Sequence, residues 1–221
     1  MLSEPRRCGT EKRKLMLDTR VRAVLSRPLD RLAGYLDHPG VSPGRLTGLG
    51  VLLGLAGAGA AAAGWWPTAA ALWLLSRLAD GLDGPLARRR GADRGSGAGG
   101  FLDITADFLV YGAFVVGVAV GAGGSALPFL LVLLAYYVNG TVFLAFSSIA
   151  ERTGRRPSQD RLSGGRSLNF LGGLAEGGET IVVHTLWCVL PSHAHTIAWA
   201  WAAVVAVTAA HRTFTGYRLL R

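Results

Sequence analysis

Two apolar blocks in the middle of the chain decide its fold. Residues 101–120 read FLDITADFLVYGAFVVGVAV, and residues 127–149 read LPFLLVLLAYYVNGTVFLAFSSI. Each block is close to the ~20 residues that a helix needs to cross a bilayer. Lipid offers no water to backbone polar groups, and a helix satisfies those groups within one segment. The two blocks therefore predict transmembrane helices joined by a short turn, GAGGSA at 121–126.

The same pattern extends along the chain and predicts an all-α, polytopic integral membrane protein. Half of the 221 residues are apolar, and the mean hydropathy is +0.35. This apolar content excludes a disordered chain, and a content of two cysteines excludes a disulfide scaffold. Six transmembrane helices are predicted, at about Leu46–Ala63, Trp66–Leu82, Phe101–Val120, Leu127–Ile149, Leu168–Leu190 and Ile197–Ala210.

The basic residues indicate how these helices are oriented. The formal net charge is +9, and all 23 Lys and Arg residues fall within 6–45, 77–94, 152–166 and 212–221. The turns on the other side hold none, which is the positive-inside pattern. We therefore expect a plasma-membrane protein with both termini in the cytoplasm. Its basic surface would attract anionic lipid and not a nucleic acid.

The segment ahead of the first span is polar and basic. Within it, apolar residues recur at helical spacing over Val21–Leu36, with arginines between them. This pattern predicts an amphipathic helix that lies at the inner membrane surface. The chain is accordingly divided into a cytoplasmic arm with its interfacial helix, 1–45, and a six-helix transmembrane domain, 46–221.

Four aspartates lie where charged side chains are costly. Asp80 and Asp83 are three residues apart near the inner end of the second span, and Asp103 and Asp107 are four apart near the start of the third. Each pair shares one helix face. The loop between the two spans is cytoplasmic, so both pairs lie at a similar depth. An acid inside a span costs about 2.5–3.5 kcal/mol, which makes a functional role the first interpretation.

Divalent cations would neutralise these acids, because four carboxylates this close cannot all stay ionised unaided. Oxygen-only ligands favour Mg²⁺ or Mn²⁺, and two such ions balance four negative charges. A metal pair held by carboxylates is typical of phosphoryl transfer. The alternative is a structural role, with the aspartates paired to Arg77, Arg88 and Arg89. Nearby, Gly84 and Ala87 would admit a ligand close to the backbone, and Arg88 would donate to phosphate oxygens.

The stretch 80–107 resembles the signature of the CDP-alcohol phosphotransferases. That signature is D, two residues, DG, two residues, AR, about eight residues, G, three residues, D, three residues and D. The chain reads Asp80-Gly-Leu-Asp83-Gly84-Pro-Leu-Ala87-Arg88 and then Gly99-Gly-Phe-Leu-Asp103-Ile-Thr-Ala-Asp107. Ten residues, and not about eight, separate Arg88 from Gly99, and they fall in a glycine-rich loop. Six spans behind an amphipathic helix also resemble the family.

This resemblance implies a reaction and a set of site residues. The enzyme would transfer a phosphatidyl, or other substituted phosphate, group from a CDP-linked donor, usually CDP-diacylglycerol, to a small alcohol, and release CMP. Asp80, Asp83 and Asp103 would hold two Mg²⁺ or Mn²⁺ ions, and Asp107 would touch metal and also deprotonate the acceptor hydroxyl. The resemblance further implies phospholipid biosynthesis and a homodimer. The residues that would line the cytidine diphosphate are Thr47, Gly84, Ala87, Arg88 and Ser96.

Other polar residues leave the acceptor open. Arginines between the fourth and fifth spans would either receive a phosphorylated acceptor or anchor the loop at the membrane. Glu176 and Glu179 in the fifth span would line the acceptor pocket, pair with an arginine or balance charge. Asn139 in the fourth span favours a hydrogen bond between helices. The loop arginines are Arg155, Arg156, Arg161 and Arg166.

Two other functions fit part of the pattern. A Mg²⁺-dependent membrane prenyltransferase also acts on a diphosphate, but it would normally carry two similar acidic motifs on separate helix pairs. A divalent-cation transporter would place its acids near the bilayer midplane and often shows a repeated half. Here the acidic pairs flank one short loop, and the sequence shows no internal repeat.

Overall fold

The computed structural model describes residues 28–91, 97–153 and 177–221, in which helices are joined by turns and no strand occurs. The predicted all-α class is confirmed over these ranges. Helix α1 covers residues 28–35. The longer helices are α2 (Pro43–Ala62), α3 (Trp66–Arg89), α4 (Ala98–Ala122), α5 (Leu127–Arg152), α6 (Gly177–Val189) and α7 (Ala194–Leu220). Predicted positions that lie outside the described residues are Ser96, Arg155, Arg156, Arg161, Arg166 and Glu176.

Among the described residues, four stretches are long and apolar enough to cross a membrane. They are α2, α4, α5 and Pro191–Leu220, in which a short 3-10 turn leads into α7. These stretches correspond to the first, third, fourth and sixth predicted spans. Helix α3 carries arginines and aspartates through its second half, and the described part of α6 has 13 residues. The count of six spans therefore stays a prediction.

The ends of α2 follow from local sequence chemistry. The helix begins at Pro43, ahead of the predicted start at Leu46, because Ser42 caps it: the Ser42 hydroxyl accepts from the Arg45 amide at 3.3 Å. Proline suits the first turn, where its missing N–H costs nothing. At the other end Gly64 adopts a φ of +74°, which lets the chain turn directly into α3.

Helix α3 is longer than the second predicted span. The apolar pattern stops at Leu82, whereas the helix continues to Arg89 and contains Pro85. Proline has no N–H to give to the carbonyl of Gly81, so the helical ladder lacks one bond there. The continued helix keeps residues 80–89 in one helical register, and this places the acidic and the basic residues of the stretch on a common element.

Small residues let α2 pack closely against α4. A Cβ added to Gly117 would overlap the backbone of Ala58, and one added to Gly121 would overlap the backbone of Ala61. Such contacts between small residues replace the hydrophobic effect as the packing force inside lipid. Helix α2 also packs along α3. Helix α2 thus contacts both α3 and α4, and the end of α3 lies close to the start of α4.

Helix α1 packs over the start of α2 and the end of α3. The guanidinium of Arg89 donates to the Asp30 carbonyl at 2.8 Å and so ties α1 to the end of α3. Of the predicted interfacial helix Val21–Leu36, residues 28–35 are helical and the earlier part lies outside the described residues. Its position at the membrane surface stays a prediction. The apolar contacts beneath it are formed by Ala33, Leu46, Leu82 and Leu86.

Candidate active site

Three of the four aspartates meet where α3 ends and α4 begins. One carboxylate oxygen from each of Asp80, Asp83 and Asp103 lies within 4.8 Å of the other two. Oxygens that bind one divalent cation at about 2.0–2.6 Å lie at most about 5 Å apart, so this set fits one hard cation. Asp83 is buried, and the other two are partly buried. Three of the four carboxylates therefore converge, whereas Asp107 lies outside this group, and metal binding itself stays a prediction.

The fourth aspartate forms an ion pair with a buried arginine. Asp107 Oδ1 accepts a hydrogen bond from Arg77 Nη1 at 2.6 Å, and the same nitrogen lies 3.7 Å from Asp80 Oδ2. The Arg77 side chain is 5% exposed, and that of Asp107 is 35% exposed. The structural alternative is thus met in part, because one of the three named arginines does pair with the acids. In the sequence, Arg77 is a basic residue three positions, or about one helical turn, before Asp80.

Thr47 connects α2 to the acidic cluster. Its hydroxyl donates to Asp83 Oδ2 at 2.7 Å. It also lies 3.2 Å from the Pro43 carbonyl, so the single hydroxyl proton is shared between two acceptors. The resemblance implied that Thr47 reaches a nucleotide. The structure instead shows it contacting a candidate metal ligand, and a nucleotide contact stays a prediction.

The other residues expected to line a nucleotide extend along α3 beyond the acids. Gly84 and Arg88 follow Asp80 at successive intervals of four residues, which places all three along one side of the helix. The Arg88 guanidinium is exposed and lies 3.4 Å from where a Cβ of Gly84 would be. Ala87 beside them is partly buried. Because Gly84 has no side chain, the cation of Arg88 can lie close to the helix backbone, one turn from the carboxylates.

Comparison with known proteins places this site in a family. Residues 41–208 match the family model of CDP-alcohol phosphatidyltransferase. The chain belongs to the CDP-alcohol phosphatidyltransferase family. The resemblance seen in the stretch 80–107 is therefore confirmed. The chain is also similar to the inner membrane protein YnjF of Escherichia coli (strain K12). It is 36% identical over 207 residues, which make up 93% of this chain and 98% of that protein.

Solved structures share the fold of this member of the family. Mycobacterium tuberculosis phosphatidylinositol phosphate synthase, PgsA1, with CDP-DAG bound matches with a TM-score of 0.67 and 23% identity over 86% of this chain and 94% of that one. Its complex with manganese and citrate matches with the same TM-score and identity, over 86% and 88%. At this level of identity the likeness establishes the fold.

A polar network deeper in the bundle was only partly predicted. Asn139 accepts a hydrogen bond from Arg212 Nη1 at 3.0 Å, which confirms the expected bond between helices, here α5 and α7. The sequence analysis missed a second set: the His184 ring nitrogen Nε2 lies 3.0 Å from the Tyr136 hydroxyl, which accepts from Trp201 at 2.6 Å. These contacts join α5, α6 and α7. Their residues are far apart in the chain, so no spacing rule could have found them.

Proposed function

We propose that this chain transfers a phosphatidyl, or other substituted phosphate, group from a CDP-linked donor to a small alcohol and releases CMP. The observation that carries the proposal is the convergence of Asp80, Asp83 and Asp103 in a member of the CDP-alcohol phosphatidyltransferase family. Family membership favours this reaction over prenyl transfer and cation transport. The product would be a phospholipid or its direct precursor, so the enzyme would serve phospholipid biosynthesis.

CDP-diacylglycerol is the proposed donor. PgsA1, which shares the fold, has been crystallised with CDP-DAG bound. Helices α2 and α4, which are long and apolar enough to cross a membrane, carry Thr47 and Asp103 at the site, and a lipid donor could keep its acyl chains beside them. The exposed guanidinium of Arg88 would receive the diphosphate next to Gly84. Thr47, Ala87 and Ser96 would complete the lining of the cytidine diphosphate.

Mg²⁺ or Mn²⁺ is the proposed cofactor, as a pair of ions held by Asp80, Asp83, Asp103 and Asp107. The convergence of three carboxylates supports it, and PgsA1 has been crystallised with manganese. When bound, such ions neutralise the diphosphate and stabilise the entering and leaving oxygens. The chain's own contribution is to hold the ligands in place: the Thr47 hydroxyl bonds Asp83 at 2.7 Å.

Asp107 is the proposed general base. About a third of its side chain is exposed, so an acceptor hydroxyl can reach it. The hydroxyl proton would pass to Asp107 as the hydroxyl oxygen bonds to the lipid-linked phosphorus, and the bond from that phosphorus to the bridging oxygen breaks. CMP leaves with that oxygen. In the metal-free protein Arg77 holds this carboxylate by a hydrogen bond of 2.6 Å.

The acceptor, the location and the assembly remain proposals. The acceptor is a small polar alcohol, with or without a phosphate, and Glu179 of α6 is a candidate to face it. The active site would lie on the cytoplasmic side of the plasma membrane, with both termini on that side. The relative YnjF is described as an inner membrane protein, which supports this location. We also propose a homodimer, on the family resemblance alone.

Release of CMP tests the proposal directly. The purified protein is given CDP-diacylglycerol labelled in the cytidine and a panel of acceptors: serine, glycerol phosphate, inositol and inositol phosphate. We expect CMP release that depends on one acceptor and on Mg²⁺ or Mn²⁺. Asp103→Asn should abolish release, whereas Asp37→Asn, a surface carboxylate paired to Arg90 at 2.8 Å, should not. Full turnover in EDTA, or Mn²⁺ transport into vesicles without any CMP release, would overturn the proposal.

A further inference from the structure

The buried arginine beside the acidic cluster supports an inference that goes beyond the proposed function and rests on it. We propose that Arg77 is a built-in cation that retains Asp107 until a second divalent ion competes for that carboxylate. The two metal ions would then bind in sequence and with unequal affinity. In this role Arg77 is a positioning residue, because it acts on a metal ligand and touches no substrate.

The contacts place Arg77 between the two acidic pairs. Its Nη1 is 2.6 Å from Asp107 Oδ1 and 3.7 Å from Asp80 Oδ2. The shorter distance is that of a strong, charge-assisted hydrogen bond, and the longer one is a weak ion pair. Asp80 also belongs to the group of three converging carboxylates, whereas Asp107 does not. The arginine thus holds the fourth acid and leaves the other three able to bind a first ion.

The surroundings of Arg77 keep it from turning away. Its guanidinium carbon lies 5.1 Å from the centre of the Trp73 ring and 4.9 Å from that of Tyr111. Nη2 donates to the Ser76 hydroxyl at 3.1 Å, and that hydroxyl in turn donates to the Gly50 carbonyl at 2.7 Å. A guanidinium enclosed by two rings and a fixed acceptor stays in place, so its positive charge is a permanent part of the site.

Charge balance explains why the second ion would bind more weakly. Four ionised aspartates and Arg77 sum to a charge of −3. One divalent ion reduces this to −1, and a second raises it to +1. Without Arg77 the second ion would complete a neutral site. In the wild type the second ion also has to draw Asp107 away from the fixed guanidinium of Arg77. The phosphates of the donor supply the missing negative charge, so binding of the substrate would favour binding of the second ion.

Binding of Mn²⁺ to the metal-free protein tests this inference without any turnover. The free ion is counted by its paramagnetic resonance signal as Mn²⁺ is titrated into purified protein in detergent. We expect one tight site and a second at least about tenfold weaker in the wild type. Arg77→Gln should tighten the second site at least about tenfold. Arg77→Lys, which keeps the charge, should preserve the gap, and Arg90→Gln, which removes an arginine outside the cluster, should match the wild type.

The outcomes separate this inference from the proposed function. Two equivalent Mn²⁺ sites in the wild type, or a second site unchanged in Arg77→Gln, would overturn the role of Arg77 and leave the enzyme proposal standing. A wild type that binds no Mn²⁺ would overturn both. If Arg77→Gln fails to fold, the wild-type isotherm and Arg77→Lys decide, because equal affinities in either contradict the inference.

Discussion

The hydrogen bond from Thr47 to Asp83 gives the sharpest test of how the site is built. Thr47 belongs to the start of α2, and its hydroxyl reaches Asp83 Oδ2 on α3 at 2.7 Å. Asp83 is buried, and only one of its oxygens is needed for the cluster with Asp80 and Asp103. The bond therefore fixes the rotation of the carboxylate and directs its ligand oxygen toward the others. Thr47→Val removes the hydroxyl at nearly constant volume.

The size of the effect follows from the type of bond that is lost. A hydrogen bond to a charged group contributes about 1.5–3 kcal/mol. Each ~1.4 kcal/mol is a factor of ten in affinity, so the loss corresponds to roughly a 10- to 100-fold weaker metal site. Because the bond orients a ligand and does not contact the reacting atoms, saturating metal should restore most of the rate. We therefore expect the half-saturating Mn²⁺ concentration of Thr47→Val to rise at least about tenfold.

CMP release measured against Mn²⁺ concentration provides the readout. Thr47→Ser keeps the hydroxyl and should stay close to the wild type. Thr185→Val is the matched control, since its hydroxyl is also partly buried but donates within α6, to the Ile181 carbonyl at 2.8 Å. A Thr47→Val curve that coincides with the wild type would refute the reasoning. So would a loss of rate that saturating Mn²⁺ does not restore.

Three further predictions test the general base, the packing of α2 on α4 and the loop ahead of α2. Asp107→Asn should abolish CMP release by a protein that still elutes as a single folded species, because an amide cannot take up the acceptor's proton; normal release would remove Asp107 from the mechanism. Gly117→Ala should lower the thermal midpoint in detergent at a cost of about 1–3 kcal/mol, because its Cβ meets the Ala58 backbone. Gly112→Ala in the same helix has nothing within 4 Å and should not lower it, so equal midpoints would contradict the packing. Arg90→Ala removes three hydrogen bonds of 2.6–2.8 Å to the loop ahead of α2 and should speed subtilisin cleavage there; unchanged cleavage would show that other contacts hold the loop.

The convergence of the acids could be predicted because it depends on local information. Spacing fixed which face of each helix carries the pair Asp80 and Asp83 and the pair Asp103 and Asp107, and a short loop fixed their common depth. Spacing does not determine how α3 and α4 are rotated about their own axes. That rotation depends on packing against α2, and it directs Asp103 toward the first pair and Asp107 toward Arg77.

Helix ends show the same division between local and tertiary causes. Ser42 and Pro43 are local start signals, and apolarity alone set the predicted start of α2 too late. The continuation of α3 past Leu82 has a tertiary cause, because Leu82 and Leu86 are buried beneath α1. The apolar pattern of α3 alone does not show that α1 covers these two leucines. The same charged second half of α3 keeps this helix from being one of the stretches that, within the described ranges, are long and apolar enough to cross a membrane.

The residues around the acidic cluster form a buried side and an exposed side, and the two sides should respond differently to substitution. On one side lie the buried Arg77 and Trp73, and Thr47 braces Asp83 from α2. On the other side the exposed Arg88 extends past the acids. Changes on the buried side alter the charge and orientation of the metal ligands, so they should act on metal affinity. A change at Arg88 leaves those ligands untouched and removes a donor to the diphosphate, so it should act on the affinity for the nucleotide donor and leave Mn²⁺ binding unchanged.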